Sequence, residues 1–393
     1  MGKELSLKEN AKAQIRFLVV DDMLTMRRTI RNMLRQLGYV HIIEAEDGLD
    51  AWKKFPTAKI DMAIVDWNMP QMTGVELLRK ARADDRFAKI PFIMVTAEVD
   101  ETTVAEAAET EVDAYIIKPF VAKVLEEKIN AVMEKTANPT PLDTLLRLAK
   151  VFAGAGQFNK AIDQLKAALN INSSSPLVYL TLGDLYNQRG MLDDAEKVYK
   201  KAIMLEAKFT KAYDGLADVY AKKGDTRSSI KTMQDAVSKS PRNASRQTKL
   251  GKVLLEQGMA KEAKAAFESA VMTEPNNMVM RSEIAESFLV KDMDNEAATL
   301  FQSVLRANPK DVHVYNRLGI AYRKQGKFQE AIEEYKKALT VDPGDENLYY
   351  NLGRAYMEAQ KVDEAIAQFT KALEIYPDFK EAREVLDKIM ESY

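Results

Sequence analysis

Along the first third of the chain, short apolar runs alternate with stretches whose apolar residues recur at helical spacing. Ile15-Arg16-Phe17-Leu18-Val19-Val20, Val40 to Ile43, Ile60-Asp61-Met62-Ala63-Ile64-Val65, Pro91-Phe92-Ile93-Met94-Val95 and Ala114-Tyr115-Ile116-Ile117 read as five buried strands. After the first strand, Thr25 is positioned as a cap, and Met26, Ile30, Met33, Leu34 and Leu37 form one helical stripe that Gly38 stops. Asp47-Gly48 opens a second helix, and Thr73-Gly74-Val75-Glu76 opens a third with a capping-box pattern. An Ala- and Glu-rich helix follows Thr96, and an amphipathic one runs from Val121 to Lys135. This alternation predicts an α/β unit, a doubly wound five-stranded parallel sheet with helices on both faces.

Beyond Leu142 the pattern is wholly helical and repeats every 34 residues. One small-residue column is Ala149, Gly183, Ala217, Gly251, Ala285, Gly319 and Gly353, and a second is Ala161, Ala195, Ser229, Ala263, Ala297, Ala331 and Ala365. Between them stand Gly156, Gly190, Gly224, Gly258 and Gly326, replaced by Asp292 and Gln360 in two units; a left-handed residue there ends one helix before the next. Tyr186, Tyr220, Phe288, Tyr322 and Tyr356 fill an aromatic column, and Pro241, Pro275, Pro309, Pro343 and Pro377 begin the turn to the next unit. The resulting layout is a polar tail 1–14, an α/β domain 15–135, a Pro-containing linker 136–141, seven helix-turn-helix units over 142–379 forming an all-α solenoid, and a capping helix 380–393. The unit from Met278 departs most, with Arg281 at an aromatic position and Asp292 for the glycine, and is expected to be the softest joint.

Composition narrows the chemistry. With no cysteine and only two histidines, disulfides, thiolate catalysis and Cys/His zinc sites are excluded. A net charge of −2 without a Lys/Arg-dense block gives no electrostatic footprint for nucleic acid, and the repeats leave no room for a helix-turn-helix reader. No run is apolar and long enough to span a bilayer, and the expected location is the cytoplasm.

Chemistry-bearing residues gather at strand ends. Asp21 and Asp22 close the first strand, Asp66 the third, Thr96 the fourth and Lys118 the fifth. Right-handed crossovers bring all of them to the carboxyl edge of the sheet, where open α/β folds bind ligands. Crowded carboxylates call for a hard cation, and Mg2+ suits a site that also receives phosphoryl oxygens. The hydroxyl of Thr96 and the ammonium of Lys118 supply the opposite polarity, as transfer of a phosphoryl group to a carboxylate requires.

Phe17-Leu18-Val19-Val20-Asp21-Asp22, Val65-Asp66-Trp67-Asn68-Met69-Pro70, Met94-Val95-Thr96-Ala97-Glu98 and Tyr115-Ile116-Ile117-Lys118-Pro119-Phe120 resemble the motifs of response-regulator receiver domains of the chemotaxis type, with a flavodoxin-like fold. The resemblance implies that Asp66 accepts phosphate from a histidine kinase, and that the domain catalyses only its own phosphorylation and dephosphorylation. It implies that Asp22, Asp66 and the backbone carbonyl of Asn68 ligate Mg2+ while Asp21 holds the metal's waters. Thr96 and Lys118 would contact the phosphoryl group, Tyr115 and Thr96 would form the switch, Asn68 and Glu98 would tune phosphate lifetime, and Lys118-Pro119 would be cis. Thr73 before Gly74 departs from the family's frequent Asp, and its capping role accounts for it.

The repeats resemble the tetratricopeptide repeat, which implies a concave groove for a protein or peptide. Residues expected to line it are Arg147, Lys150, Asp184, Lys211, Asp218, Lys249, Lys252, Glu283, Arg317, Arg323, Asn351 and Arg354. Only Asn351 fits the Lys/Asn pattern with which some members clamp a terminal carboxylate, so that ligand is not expected. Together the parts imply a two-component adaptor whose repeats are a phosphorylation-controlled output; a passive scaffold or phosphate sink is the alternative. The surface that changes on phosphorylation is expected to meet either the early repeats or a second copy, in a phosphorylation-dependent homodimer.

Overall fold

A computed structural model of the chain describes residues 12, 14–97, 112–137 and 140–392. Its backbone packs as two units, Met1–Arg242 and Asn243–Tyr393. In the first, strands β1 (Arg16–Val20), β2 (His41–Ala45), β3 (Met62–Asp66), β4 (Phe92–Thr96) and β5 (Ala114–Ile117) form one parallel sheet in the order β2-β1-β3-β4-β5. Helices α1 (Leu24–Gln36), α2 (Gly48–Lys54), α3 (Gly74–Ala83) and α4 (Ala122–Ala137) accompany it. The Ala- and Glu-rich stretch after Thr96, Glu98 included, lies outside the described residues.

The strands read as continuous apolar runs because both faces are buried. Alternate side chains divide between two cores: Leu18, Val20, Ala63, Val65, Phe92 and Met94 on one face, and Phe17, Val19, Ile64, Ile93 and Val95 on the other. The first core continues into Trp67, Leu77 and Leu78, the second into Ile30 and Leu34 of α1 and Leu125 and Ile129 of α4.

Beyond shifts of one or two residues at β1, β3 and β4, three boundaries differ from the sequence pattern. Thr25 is not a cap: it lies inside α1, which starts at Leu24 with Met23 at the N-cap and no side-chain cap, and the Asp21 carboxylate accepts the Met23 N–H at 2.9 Å. Strand β2 begins after Val40 and runs on to Ala45, pairing with β1 through Val20. Helix α4 continues through Thr136 and Ala137, and Pro141 opens the next helix, so only residues 138–140 stand between them. The capping box at Thr73 and Glu76 forms as the pattern indicates.

Repeat helices follow in pairs. The first unit holds α5 (Pro141–Gly154) with α6 (Phe158–Ile171), α7 (Pro176–Gln188) with α8 (Leu192–Leu205), and α9 (Thr210–Lys222) with α10 (Thr226–Lys239). The second holds α11 (Ala244–Glu256) with α12 (Ala260–Thr273), α13 (Met278–Val290) with α14 (Asp294–Ala307), α15 (Val312–Lys324) with α16 (Phe328–Val341), α17 (Glu346–Glu358) with α18 (Val362–Ile375), and a last helix α19 (Lys380–Ser392). At the turn inside each pair the backbone is left-handed, with φ of 71–79° at the five glycines, 57° at Asp292 and 59° at Gln360.

Glycine in the first small column admits an aromatic ring from the following helix. A Cβ on Gly183, Gly251, Gly319 or Gly353 would fall within 2.6–2.8 Å of the ring of Tyr199, Phe267, Tyr335 or Phe369, respectively. Where the column carries Ala149 or Ala217, the corresponding buried residue is the slimmer Leu165 or Met233, whereas Ala285 is matched by the buried Phe301. The departures at Arg281 also have a place. Tyr315 and Tyr349 donate their hydroxyls to the carbonyls of Pro309 and Pro343, and at the equivalent turn the Arg281 guanidinium donates to the Pro275 carbonyl.

Candidate functional site

The carboxyl edge of the parallel sheet gathers the acidic and basic residues that the strand ends carry. Asp21, immediately after β1, has no exposed surface, and Asp66, the last residue of β3, is 7% exposed. Asp22 is exposed, and carboxylate oxygens of Asp21, Asp22 and Asp66 lie within 4.8 Å of one another. Lys118, following β5, spans the two buried acids: Nζ donates to Oδ1 of Asp66 at 2.7 Å and to Oδ2 of Asp21 at 2.9 Å. Its backbone N–H bonds to the Thr96 carbonyl at 2.7 Å, which ties the ends of β4 and β5 together. The Lys118-Pro119 peptide is cis.

One ammonium faces three carboxylates. Burial pushes the Asp66 pKa up; Lys118 pulls it back by hydrogen bond and charge, Asp21 and Asp22 push it up again, and the net shift is upward. Burial works against the Lys118 ammonium, yet its bonds to Asp66 and Asp21 prevail and its pKa is raised. The excess negative charge fits a divalent cation with oxygen ligands. Asp21, Asp22 and Asp66 offer the donor set that Mg2+ takes.

Other residues serve the site's shape. Thr96 is 4% exposed at the end of β4, whereas Asn68 is exposed in the loop after β3. Tyr115 on β5 is 45% exposed, with the Lys128 ammonium 5.5 Å from its ring centre. Arg27 donates to the carbonyls of Asp21 at 2.7 Å and Asp22 at 3.2 Å, fixing the acidic turn from α1. Gly74 supports Asp66 from behind: its N–H bonds to the Trp67 carbonyl at 3.1 Å, and a Cβ there would stand 2.1 Å from the Asp66 carbonyl oxygen. The sequence pattern marked Gly74 only as part of a capping box. A glycine directly behind a sufficient cap was the available signal of close backbone approach.

Several of the residues expected along the repeat groove have partners in the neighbouring repeat. Lys252 pairs with Glu283, Arg317 with Glu286, and Arg323 with Glu358. Asn351 donates to Asn316 at 2.9 Å, and Asn187 donates to Asp218 at 2.8 Å. Each pair links neighbouring repeats, so these residues stabilise the stacking of units as well as lining a surface. No helix of the described residues is long and apolar enough to cross a membrane.

Comparison with known proteins agrees with both halves. The family model of the response regulator receiver domain matches residues 17–130. The tetratricopeptide repeat model matches 149–190, and the model for the C-terminal domain of cilia and flagella-associated protein 70 matches 171–385. Chemotaxis protein CheY of Pseudomonas aeruginosa is 46% identical over 121 residues, 31% of this chain and 98% of that protein. Chemotaxis protein CheY1 of Helicobacter pylori J99 is 48% identical over 120 residues, 30% of this chain and 97% of that protein. Among solved structures, a tetratricopeptide repeat protein from Parabacteroides merdae is 20% identical, covering 64% of this chain and 99% of its own, with a TM-score of 0.40. Vibrio cholerae CheY4 is 30% identical, covering 30% of this chain and 99% of its own, with a TM-score of 0.29. The chain belongs to the response regulators, with a CheY-type receiver domain at its amino-terminal end, and continues into a tetratricopeptide repeat array that belongs with the family of that 171–385 domain.

Proposed function

We propose that this response regulator takes a phosphoryl group onto Asp66 from the phosphohistidine of a partner kinase and uses its repeats as a protein-binding output governed by that state. The observation that carries the reading is the bridge of Lys118 between Asp66 and Asp21, with Asp22 beside them. In the transfer an Oδ of Asp66 attacks phosphorus, the phosphorus–nitrogen bond breaks, and an acyl phosphate forms. Mg2+, held by Asp22, Asp66 and the Asn68 carbonyl with Asp21 on its waters, would neutralise phosphoryl charge when bound. Lys118 shifts from carboxylate to phosphoryl oxygen, and Thr96 supplies a hydroxyl donor at the same edge. Tyr115, exposed on β5, is the aromatic whose position reports the state of Thr96.

The receiver thus catalyses only its own phosphorylation and dephosphorylation, in a cytoplasmic setting. Acetyl phosphate with Mg2+ is expected to label the full chain once, at Asp66, and to leave Asp66→Asn unlabelled. Label on another residue, or labelling of the variant at the parental rate, overturns the assignment.

A further inference from the structure

Helix α5 opens the repeat array with an apolar face that the later units keep covered. Leu148 is 39% and Val151 66% exposed, whereas the residues equivalent to Leu148, namely Leu182, Leu216, Leu250, Ile284, Leu318 and Leu352, are at most 6% exposed. Thr144 is exposed too, and its equivalents are all buried. In the second pair this face is Val178, Leu182 and Leu185 of α7, which share one core with Ile162, Leu165 and Ala168 of α6, the second helix of the pair before. No repeat precedes α5 to do the same. Pro141, Thr144, Leu148 and Val151 fall within an arc of about 80° at 100° per residue, and the three charged residues of α5, Asp143, Arg147 and Lys150, lie to one side of it. The array ends differently: α19 leaves Glu384, Asp387, Lys388 and Glu391 exposed, as a solenoid cap requires.

The element before α5 in the chain is α4 of the receiver. The second helix of each pair reaches the next pair through four residues, and α4 reaches α5 through three, 138–140. Two helices joined so closely can lie antiparallel. Leu148, seven residues into α5, then comes level with Asn130, seven residues from the end of α4, about 10 Å from the turn on each helix. Val151 comes level with Glu127, beside Lys128, whose ammonium stands 5.5 Å from the Tyr115 ring centre. Tyr115 is 45% exposed, and Ile117, on the same side of β5, is 49% exposed. Arg147 comes level with the exposed Ala131, with the exposed carboxylates of Glu127 and Glu134 one turn to either side. Lys150 lies on the far side of α5 from this stripe and so away from Lys128. Apolar surface thus meets apolar surface, and the one cation at the edge meets two acids.

We propose that the open face of α5 docks on the β5–α4 side of its own receiver, with Leu148 and Val151 against Tyr115 and Ala131 and with Arg147 between Glu127 and Glu134. In this docked form α4 takes the place that the second helix of a preceding repeat holds in the later units, and it exchanges with the open form of the structure. The inference rests on the reading that the receiver governs the repeats, and it names the contact through which it does so. Tyr115 belongs to the switch that the receiver motifs imply, so phosphorylation of Asp66 acts on one wall of the contact and weakens it.

The chain has no cysteine, so a single pair of thiols can be placed in it to test the contact. In the full chain carrying Ala131→Cys and Thr144→Cys, a short bismaleimide is expected to form a crosslink within one chain, read by mass as one chain plus one linker. Adding Leu148→Glu and Val151→Glu should lower the yield at least fivefold; both side chains are exposed, and circular dichroism verifies that the variant folds. Beryllofluoride with Mg2+ should lower the yield of the cysteine pair as well. No crosslink, or a yield that the two glutamates leave unchanged, overturns the docking, while acetyl phosphate labelling of Asp66 in the same chain reads the phosphoacceptor assignment separately. Crosslinks between two chains give the face to a second copy and overturn the contact within one chain. A yield lowered by the glutamates but not by beryllofluoride supports the contact and overturns its control by phosphorylation.

Discussion

Gly74 lies so close to the main chain of Asp66 that a Cβ on it would stand 2.1 Å from the Asp66 carbonyl oxygen. That carbonyl belongs to the last residue of a fully buried strand and has no room to yield. Gly74→Ala is therefore expected to destabilise the receiver by about 2–3 kcal/mol, in the range of core overpacking. Urea unfolding measures the loss, and phosphorylation by acetyl phosphate should fall with it because Asp66 is displaced.

Lys118 is the sole cation bonded to the Asp21 and Asp66 carboxylates among the described contacts. Lys118→Ala leaves two buried acids facing each other and is expected to cost about 2–3 kcal/mol in metal-free buffer. Millimolar Mg2+ should recover part of that loss, since a ligand that binds only the folded state stabilises it. Thermal unfolding with and without the metal checks both halves, and equal losses in the two buffers would contradict the shared acidic site.

Glycine and ring are matched in four repeats, at Gly183, Gly251, Gly319 and Gly353, while Ala285 with Phe301 is an exception. Gly319→Ala is expected to cost about 1–3 kcal/mol because its Cβ would come 2.6 Å from the Tyr335 ring. In a Tyr335→Leu background the same substitution should be nearly neutral, reproducing the Ala149 and Leu165 arrangement of the first unit. A double-mutant cycle by urea unfolding reads the coupling directly.

At Gln360 a side chain sits in left-handed backbone, φ 59°, at a turn that glycine makes in five other units. Gln360→Gly is expected to stabilise its unit by about 1 kcal/mol. Asp292→Gly should gain less, because it gives up the 2.6 Å ion pair with Lys324. Unfolding midpoints of the three chains give the comparison.

Glu196 on α8 accepts from Lys200 on its own helix and from Lys223, the residue just after α9. These bonds to Lys200 and Lys223 lower its pKa from 4.5 to about 2. A depressed acid stabilises the fold above its unfolded pKa and loses that contribution as pH falls toward the folded value. Glu196→Gln should cost about 0.5 kcal/mol at neutral pH, after allowing for solvent screening, and the difference should fade between pH 4.5 and about 2. Stability measured across that interval tests the sign.

The repeat register and the acidic edge could be read before any coordinates because each depends on a spacing that helix and strand geometry impose. A left-handed residue at each turn, small residues where helices meet, and carboxylates at successive strand ends leave a trace in a single sequence. The start of α1 did not, since the Met23 N–H is satisfied by Asp21, a residue already assigned to the site. Groove charges looked solvent-facing because their partners lie a whole repeat away, as Arg317 and Glu286 do.

Whether the state of Asp66 reaches the repeats is measured most directly by small-angle X-ray scattering of the full chain with Mg2+, with and without beryllofluoride, beside the Asp66→Asn variant. The scattering profile is predicted to change on addition of beryllofluoride to the parent chain and to stay unchanged in the variant. Superimposable profiles for the parent in the two conditions would contradict a phosphorylation-controlled output.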